Sequence, residues 1–240
     1  MSDGFDFVAL TLETEAWLVR ELALLPVAVD PALAFAEGSW KGEHVTIETR
    51  AYRSDTIRQA RFAVVKGPSL EIGNIVCLPD FAQPLPILGA DLVAIRREQG
   101  MVAVDLSPTL PVGPEREAQF AGLAARLTAH PELPSGGVLP DWCTNWFSPL
   151  ALYTRVPLSQ RDAAASVFRE FPRYFVELAQ HSVARPELQS NAARVQDGYM
   201  AAHRTDDRGL GLLAKMFGTA WTERYINELL FPPVEVPSSR

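Results

Sequence analysis

The strongest constraint on the fold is a run of β-rich stretches in the middle of the chain, with helical patterns before and after it. Each stretch is bounded by Gly, Pro or Asp, residues that interrupt regular structure. Short stretches of this kind predict consecutive antiparallel strands joined by turns. The predicted strands are 44–52, 58–66, 69–79, 85–96 and 101–107, with a sixth at 147–156.

The flanking regions predict helices. Apolar residues spaced three and four apart indicate an amphipathic helix that ends before Pro26. Pro172 should kink or interrupt a later helix, because proline removes one backbone hydrogen bond. Helix, strands and helix in this order favour the α+β class, with one domain over residues 1–240 and a sheet covered on both faces. The predicted helices are 13–25, one starting near 159, 186–203, and one from 206 to 230.

Charge and composition exclude several function classes. The net charge of −7 over 240 residues opposes binding to a phosphate backbone, so no nucleic-acid partner is expected. Cys77 and Cys143 lie far apart without a CxxC pattern, and the four histidines lack metal-ligand spacing, so no metal site is expected. The first residues lack a signal-peptide pattern, and no apolar stretch approaches about 20 residues. We therefore expect a cytoplasmic protein without a membrane segment.

The stretch 209–214 has the letters G-x-G-x-x-A of a dinucleotide-binding fingerprint. That fingerprint needs a strand before it and a complete βαβ unit around it. Here a polar, helical pattern precedes the glycines, and too little chain follows them. The sequence does not favour a nicotinamide site.

Asp91 is the most unusual carboxylate, because it stands alone in the apolar stretch 86–93. If Asp91 were buried, its pKa would rise, and it could hold a proton for a substrate near neutral pH. Alternatively, Asp91 faces solvent on the outer side of its strand. The sequence leaves both interpretations open. Asp105 precedes Pro108 at a strand end, so we expect it to cap a turn.

Two further charged features have competing interpretations. Asp206 and Asp207 precede a predicted helix and would serve as an N-cap pair there. A basic stretch of strand residues would either defend a solvated sheet edge or form a docking patch for a small acidic redox partner. Its members are Arg50, Arg53, Arg58, Arg61 and Lys66, with Asp55 as the one acid among them.

Four stretches together resemble the ferredoxin-dependent bilin reductases: 70–79, 85–93, 104–108 and 217–231. The resemblance covers roughly residues 35–232, and ordered motifs are more specific together than singly. It implies a three-layer α/β/α sandwich, with a linear tetrapyrrole between the sheet and the C-terminal helices. It also implies no bound metal, flavin or nicotinamide. Ferredoxin would supply single electrons, and the protein would supply protons to biliverdin IXα or dihydrobiliverdin.

The resemblance also implies roles for individual acids. Asp91 matches the central sheet aspartate that exchanges a proton with the bilin in this family. Asp207 matches a second proton donor that several members carry before their last helices. Asp206, beside it, is a further candidate for a substrate contact.

Other residues match positions that hold the bilin. Arg155 and Arg208 fall near positions where members bind the propionates, a task suited to fixed cations. His203 falls near the same pocket wall. Asn74 stands where members that make phycocyanobilin have histidine, and Phe62 stands where the alignment puts their glutamate. Asn cannot release a proton, so Asn74 would orient the substrate, and reduction of the A-ring diene is expected over the D-ring vinyl group.

Other functions stay open at this point. A protein of the same fold could carry or protect a bilin without reducing it. A related reductase could act on an opened chlorophyll catabolite, and a protein of this fold that binds no pigment would be structural. The sequence also leaves open which phytobilin is made, phycoerythrobilin, phytochromobilin or phycocyanobilin.

Overall fold

The sheet is the centre of the molecule. The computed structural model describes residues 4–96, 98–205 and 207–234, with the backbone alone at 207 and 208. Eight antiparallel strands follow the order β1-β3-β4-β5-β6-β7-β8, and β2 pairs with another part of β3. The strands are β1 Leu25–Val27, β2 Phe35–Trp40, β3 Glu43–Arg53, β4 Ile57–Lys66, β5 Leu70–Pro79, β6 Ile87–Ile95, β7 Gln99–Ser107 and β8 Leu152–Pro157.

Helices cover both faces of the sheet, which confirms the α+β class and the three layers. One apolar core lies between the sheet and the first and fourth helices, and a second lies between the opposite face and the C-terminal helices. The helices are α1 Phe7–Glu21, α2 Pro31–Ala34, α3 Pro114–Leu127, α4 Arg161–Gln180, α5 Gln189–Thr205, α6 Asp207–Phe217 and α7 Thr219–Arg224, followed by a π-helical turn, Tyr225–Leu230.

Alternation along the strands assigns each side chain to one face. In β6, Leu88, Ala90 and Leu92 belong to the core under α1 and α4. Ile87 belongs to the opposite core, and Asp91 lies four residues further along the same face. Asp91 therefore points toward the layer that holds α5, α6 and α7.

Some helix boundaries differ from those predicted. Helix α1 begins at Phe7 rather than near 13, because the Asp6 side chain accepts a hydrogen bond of 2.9 Å from the Ala9 amide and caps it. Helix α4 continues through Pro172, which was expected to interrupt it. The fully buried rings of Phe168, Phe171 and Phe175 pack that helix onto the sheet, and this packing outweighs one lost hydrogen bond.

The sequence prediction also missed elements. Strands β1 and β2 and helices α2 and α3 were not expected. Helix α3 buries one side chain fully, Leu123, so its apolar periodicity is weak. The long predicted C-terminal helix is divided at Gly218, whose φ of 86° suits glycine and ends α6.

Candidate active site

The side chains singled out from the sequence share one face of the sheet. Asn74 on β5 pairs in register with Asp91 on β6, and Asp91 pairs with Ala103 on β7. Ala103 in turn pairs with Tyr153 on β8. Side chains of residues directly opposite in an antiparallel sheet point the same way. Arg155 lies two residues beyond Tyr153, so it shares this face too.

Of the two interpretations that the sequence left open for Asp91, the structure shows the solvent-facing one, and Asp91 is hydrogen-bonded there. The Asn74 amide nitrogen donates to Asp91 Oδ1 at 2.8 Å. On this face the helices bury Val76 and Ile87 but leave Asp91 and Arg155 open. An alternating strand pattern cannot show how far the opposite layer extends, so the sequence could not decide between the two interpretations of Asp91.

Arg61, on the neighbouring strand β4, lies next to the pair formed by Asn74 and Asp91. It is fully buried, and its Nη2 donates to Asn74 Oδ1 at 3.4 Å. Its Nη1 donates to the carbonyl oxygen of Leu229 at 3.1 Å and also to that of Leu230. The guanidinium carbon stands 5.5 Å from the centre of the Phe231 ring. Burial lowers the pKa of Arg61 to about 10, so it keeps its charge near neutral pH.

The five cations of the predicted docking patch do not form one surface. Arg61 is buried beneath the C-terminal segment. Arg58 donates to Gln196 of α5 at 2.6 Å on that side of the sheet. Arg50 lies on the other side and binds Glu15 of α1 through two hydrogen bonds of 2.6 Å. Alternation of side chains between two faces separates them. Arg53 is exposed at the end of β3, and Lys66 lies near Glu48.

His203 sits in an aromatic cluster beside the site. Its ring centre lies 4.2 Å from that of Tyr199, 4.5 Å from Trp142 and 4.6 Å from Phe231. Its Nδ1 lies 3.0 Å from the Tyr199 carbonyl oxygen, so we infer that Nδ1 carries the proton. Burial lowers the pKa of His203 to about 4, and Arg61 lowers it further. His203 is therefore neutral near pH 7 and cannot act as a cationic acid.

Asp105 does not cap a turn as expected. It lies in β7, is 2% exposed and shares the face of Asp91. Its carboxylate accepts hydrogen bonds from the Ser107 hydroxyl at 2.7 Å and from the Ser148 amide and hydroxyl at 2.9 and 2.5 Å. Burial raises the pKa of Asp105, and these hydrogen bonds oppose the rise. Through these hydrogen bonds Asp105 holds the segment around Ser148 against the sheet.

Asp207 and Arg208 lie at the start of α6. Asp207 is the first residue of that helix, in agreement with the predicted helix start. The structure does not describe the side chains of Asp207 and Arg208, and Asp206 lies outside the described residues. The glycines of 209–214 lie within α6 and follow α5 rather than a strand. The context of a dinucleotide fingerprint is missing here.

The register places Phe62, the residue compared with a family glutamate, away from the site. Phe62 belongs to the core under α1, on the face away from Asp91. Ala63, one residue further, pairs with Asn74 and shares its face. A shift of one residue moves a strand side chain to the opposite face. Ala63 is not acidic either, so the site still lacks a carboxylate at this position.

The described part of the chain contains neither a cluster of metal-ligating side chains nor a membrane-spanning helix. No group of three His, Cys, Asp or Glu side chains there could hold a metal ion. In the same residues, no helix is long and apolar enough to cross a membrane.

Comparison with known proteins gives consistent relatives. The family model described as ferredoxin-dependent bilin reductase matches residues 13–232. A phycoerythrobilin:ferredoxin oxidoreductase of Gloeobacter violaceus is 31% identical over 223 residues, 89% of this chain and 90% of that protein. A phycocyanobilin:ferredoxin oxidoreductase of Synechococcus sp. is 33% identical over 223 residues, 90% of this chain and 88% of that protein.

A solved structure has a similar fold. The crystal structure of phytochromobilin synthase from tomato, in complex with biliverdin, superposes with a TM-score of 0.83. The match covers 98% of this chain and 86% of that chain at 18% identity. At this identity the likeness supports the arrangement of helices and strands and no finer conclusion.

Proposed function

This chain belongs to the ferredoxin-dependent bilin reductases, and on that premise we propose that it reduces biliverdin IXα or dihydrobiliverdin to a phytobilin, with Asp91 as the main proton donor. The enzyme class, an oxidoreductase acting on bilins, follows from the family. The substrate and the residues that supply protons are the proposal. The observation that carries it is the open position of Asp91 on the sheet face toward the C-terminal helices.

The chemistry needs electrons and protons in equal number. Reduction of one carbon–carbon double bond takes two electrons, one from each of two reduced ferredoxins, and adds two hydrogen atoms to the bilin. A bilin bound over Asp91 would remove this side chain from water and favour its protonated form. Asp91 would then release the proton to the one-electron-reduced bilin, become a carboxylate and recover a proton from water. Asp207 is proposed to deliver the second proton. No bound cofactor is required in this scheme, because the bilin itself accepts the electrons.

Asn74 is proposed to position Asp91 and not to take over its role as proton donor. An amide neither gains nor loses a proton near neutral pH, so Asn74 can hold Asp91 and contact the bilin but cannot pass protons. The two relatives compared above are named for different products at nearly equal identity. Overall identity therefore does not select a product. The amide at position 74 and the absence of an acid at Phe62, and at its neighbour Ala63, favour reduction of the A-ring diene.

A turnover assay tests the proposed function. Purified protein is mixed with biliverdin or dihydrobiliverdin under low oxygen, and reduced ferredoxin is added. We expect the absorption spectrum of the bilin to change with time, because each reduction alters the conjugated system. The same mixture without ferredoxin is the control. A bilin that binds and stays unreduced would identify a carrier instead and would overturn the reductase proposal.

Arg155 is proposed to hold a bilin propionate. Its guanidinium lies on the site face, exposed, and donates to the Tyr153 hydroxyl at 3.2 Å. We expect Arg155→Ala to raise the dissociation constant for biliverdin roughly tenfold, because a charge-assisted contact of moderate exposure is lost. Biliverdin dimethyl ester, whose propionates are uncharged, should bind both proteins equally.

Absorbance titration measures both pigments. Arg20→Ala is the matched control, since Arg20 is an exposed arginine of α1 on the other side of the sheet. An equal loss of affinity for acid and ester would mean that Arg155 does not recognise the propionate.

A further inference from the structure

Burying the charged side chain of Arg61 costs free energy. Arg61 has no exposed surface, and its Nε lacks a hydrogen-bond partner within the described residues. A buried charge without full pairing destabilises a protein. The pattern of its contacts therefore calls for an explanation other than packing.

The two terminal nitrogens of the Arg61 guanidinium make different contacts. Nη1 holds the carbonyl oxygens of Leu229 and Leu230, at the end of the π-helical turn, and Nη2 reaches the Asn74 amide oxygen. These carbonyls have no further helix to bond to, so the cation satisfies them. The end of the C-terminal segment and the Asn74 side chain are thus fixed to one rigid planar group.

This arrangement determines which way the Asn74 amide points. Arginine has donors and no acceptor, so the Asn74 group that faces it must be the oxygen. The amide nitrogen is then left to donate to Asp91 Oδ1, at 2.8 Å, and to the Ala90 carbonyl, at 3.4 Å. With the amide reversed, two donors would face each other at Arg61 and two acceptors would face each other at Asp91.

We propose that Arg61 is a positioning residue for bilin reduction, which acts by orienting the Asn74 amide so that Asn74 holds Asp91 in place beneath the substrate. This inference rests on the proposed function. Arg61 does not touch the bilin in this scheme.

A double-mutant cycle in the full-length protein tests the inference. Arg61→Gln removes the charge and the guanidinium, and Asn74→Ala removes the amide between Arg61 and Asp91. We expect each change to slow single-turnover reduction at saturating bilin and ferredoxin about tenfold. The double variant should be no slower than Asn74→Ala alone, because Arg61 acts through Asn74. A purely structural role predicts independent effects, about a hundredfold together.

Controls separate this inference from other failures. Arg169→Gln, which changes a partly exposed arginine of α4 on the opposite layer, should leave the rate unchanged. Biliverdin titration and thermal melting show whether each variant is folded. If Arg61→Gln does not fold, Arg61→Lys takes its place in the cycle. Turnover of Asn74→Ala at the wild-type rate would by itself overturn the inference. If the wild-type protein reduces no bilin, the proposed function fails instead.

Discussion

Asp91→Asn is expected to slow bilin reduction by about 10² to 10⁴-fold, the usual contribution of a positioned acid. The substitution changes one atom and keeps the geometry, because an asparagine oxygen at position 91 can still accept the hydrogen bond from Asn74. Biliverdin should therefore bind with nearly unchanged affinity, and only the proton is lost. Single-turnover absorbance after rapid mixing with reduced ferredoxin measures the rate and reveals any bilin radical that accumulates.

The control for Asp91 is Asp55→Asn, which changes an exposed acid in the turn between β3 and β4. It should reduce bilin at the wild-type rate. Wild-type turnover of Asp91→Asn would remove the central residue from the proposed reaction. Loss of bilin binding in that variant would instead indicate that Asp91 holds the substrate.

Asp105→Ala is expected to destabilise the protein by about 3 kcal/mol, the largest loss of stability that we predict. The change leaves the buried amide of Ser148 and two serine hydroxyls without their acceptor, and each buried group left unpaired costs about 1–3 kcal/mol. Urea unfolding followed by tryptophan fluorescence measures the loss. Asp105→Asn keeps one acceptor oxygen, so it should recover part of the stability.

Asp162→Ala is the comparison for Asp105, since the Asp162 side chain is 95% exposed. Its free energy of unfolding should stay within about 0.5 kcal/mol of the wild type. Equal stability of the two alanine variants would show that the contacts of Asp105 contribute nothing. The segment around Ser148 would then be held by its apolar packing alone.

The sheet and its order could be predicted because each strand carries its own local signals. Period-two alternation and the breakers between stretches located five strands to within about two residues. The helices around the sheet were harder to predict from the sequence. In α3 the apolar stripe is narrow, and α4 continues through Pro172 because of tertiary packing that lies outside the local sequence.

The site could be predicted only in part. Asn74, Asp91 and Arg155 do share one face, which the alternation of strands makes readable. The exposure of Asp91 depends on how far the C-terminal helices extend over the sheet. No local sequence pattern predicts that extent. Arg61 was taken for a surface cation because its partners, Leu229 and Leu230, lie 168 and 169 residues away in the chain.

Phe62 and Ala63 show how strand register decides which side chain belongs to a site. Phe62 belongs to the core under α1, and Ala63 pairs with Asn74. Neighbouring residues of a strand face opposite sides of the sheet, so a difference of one residue decides whether a side chain can reach the site.

The division of the β3 edge between β1 and β2 bears on how copies of this protein avoid one another. Exposed strand edges invite aggregation through backbone pairing. Here β1 is three residues long and contains Pro26, which cannot donate a hydrogen bond. Beside β2, a side chain at Gly38 would collide with the Met216 carbonyl of α6, so the helix lies against that strand. Strand β1 therefore offers a neighbouring chain little backbone for strand pairing, and α6 limits access to one face of β2.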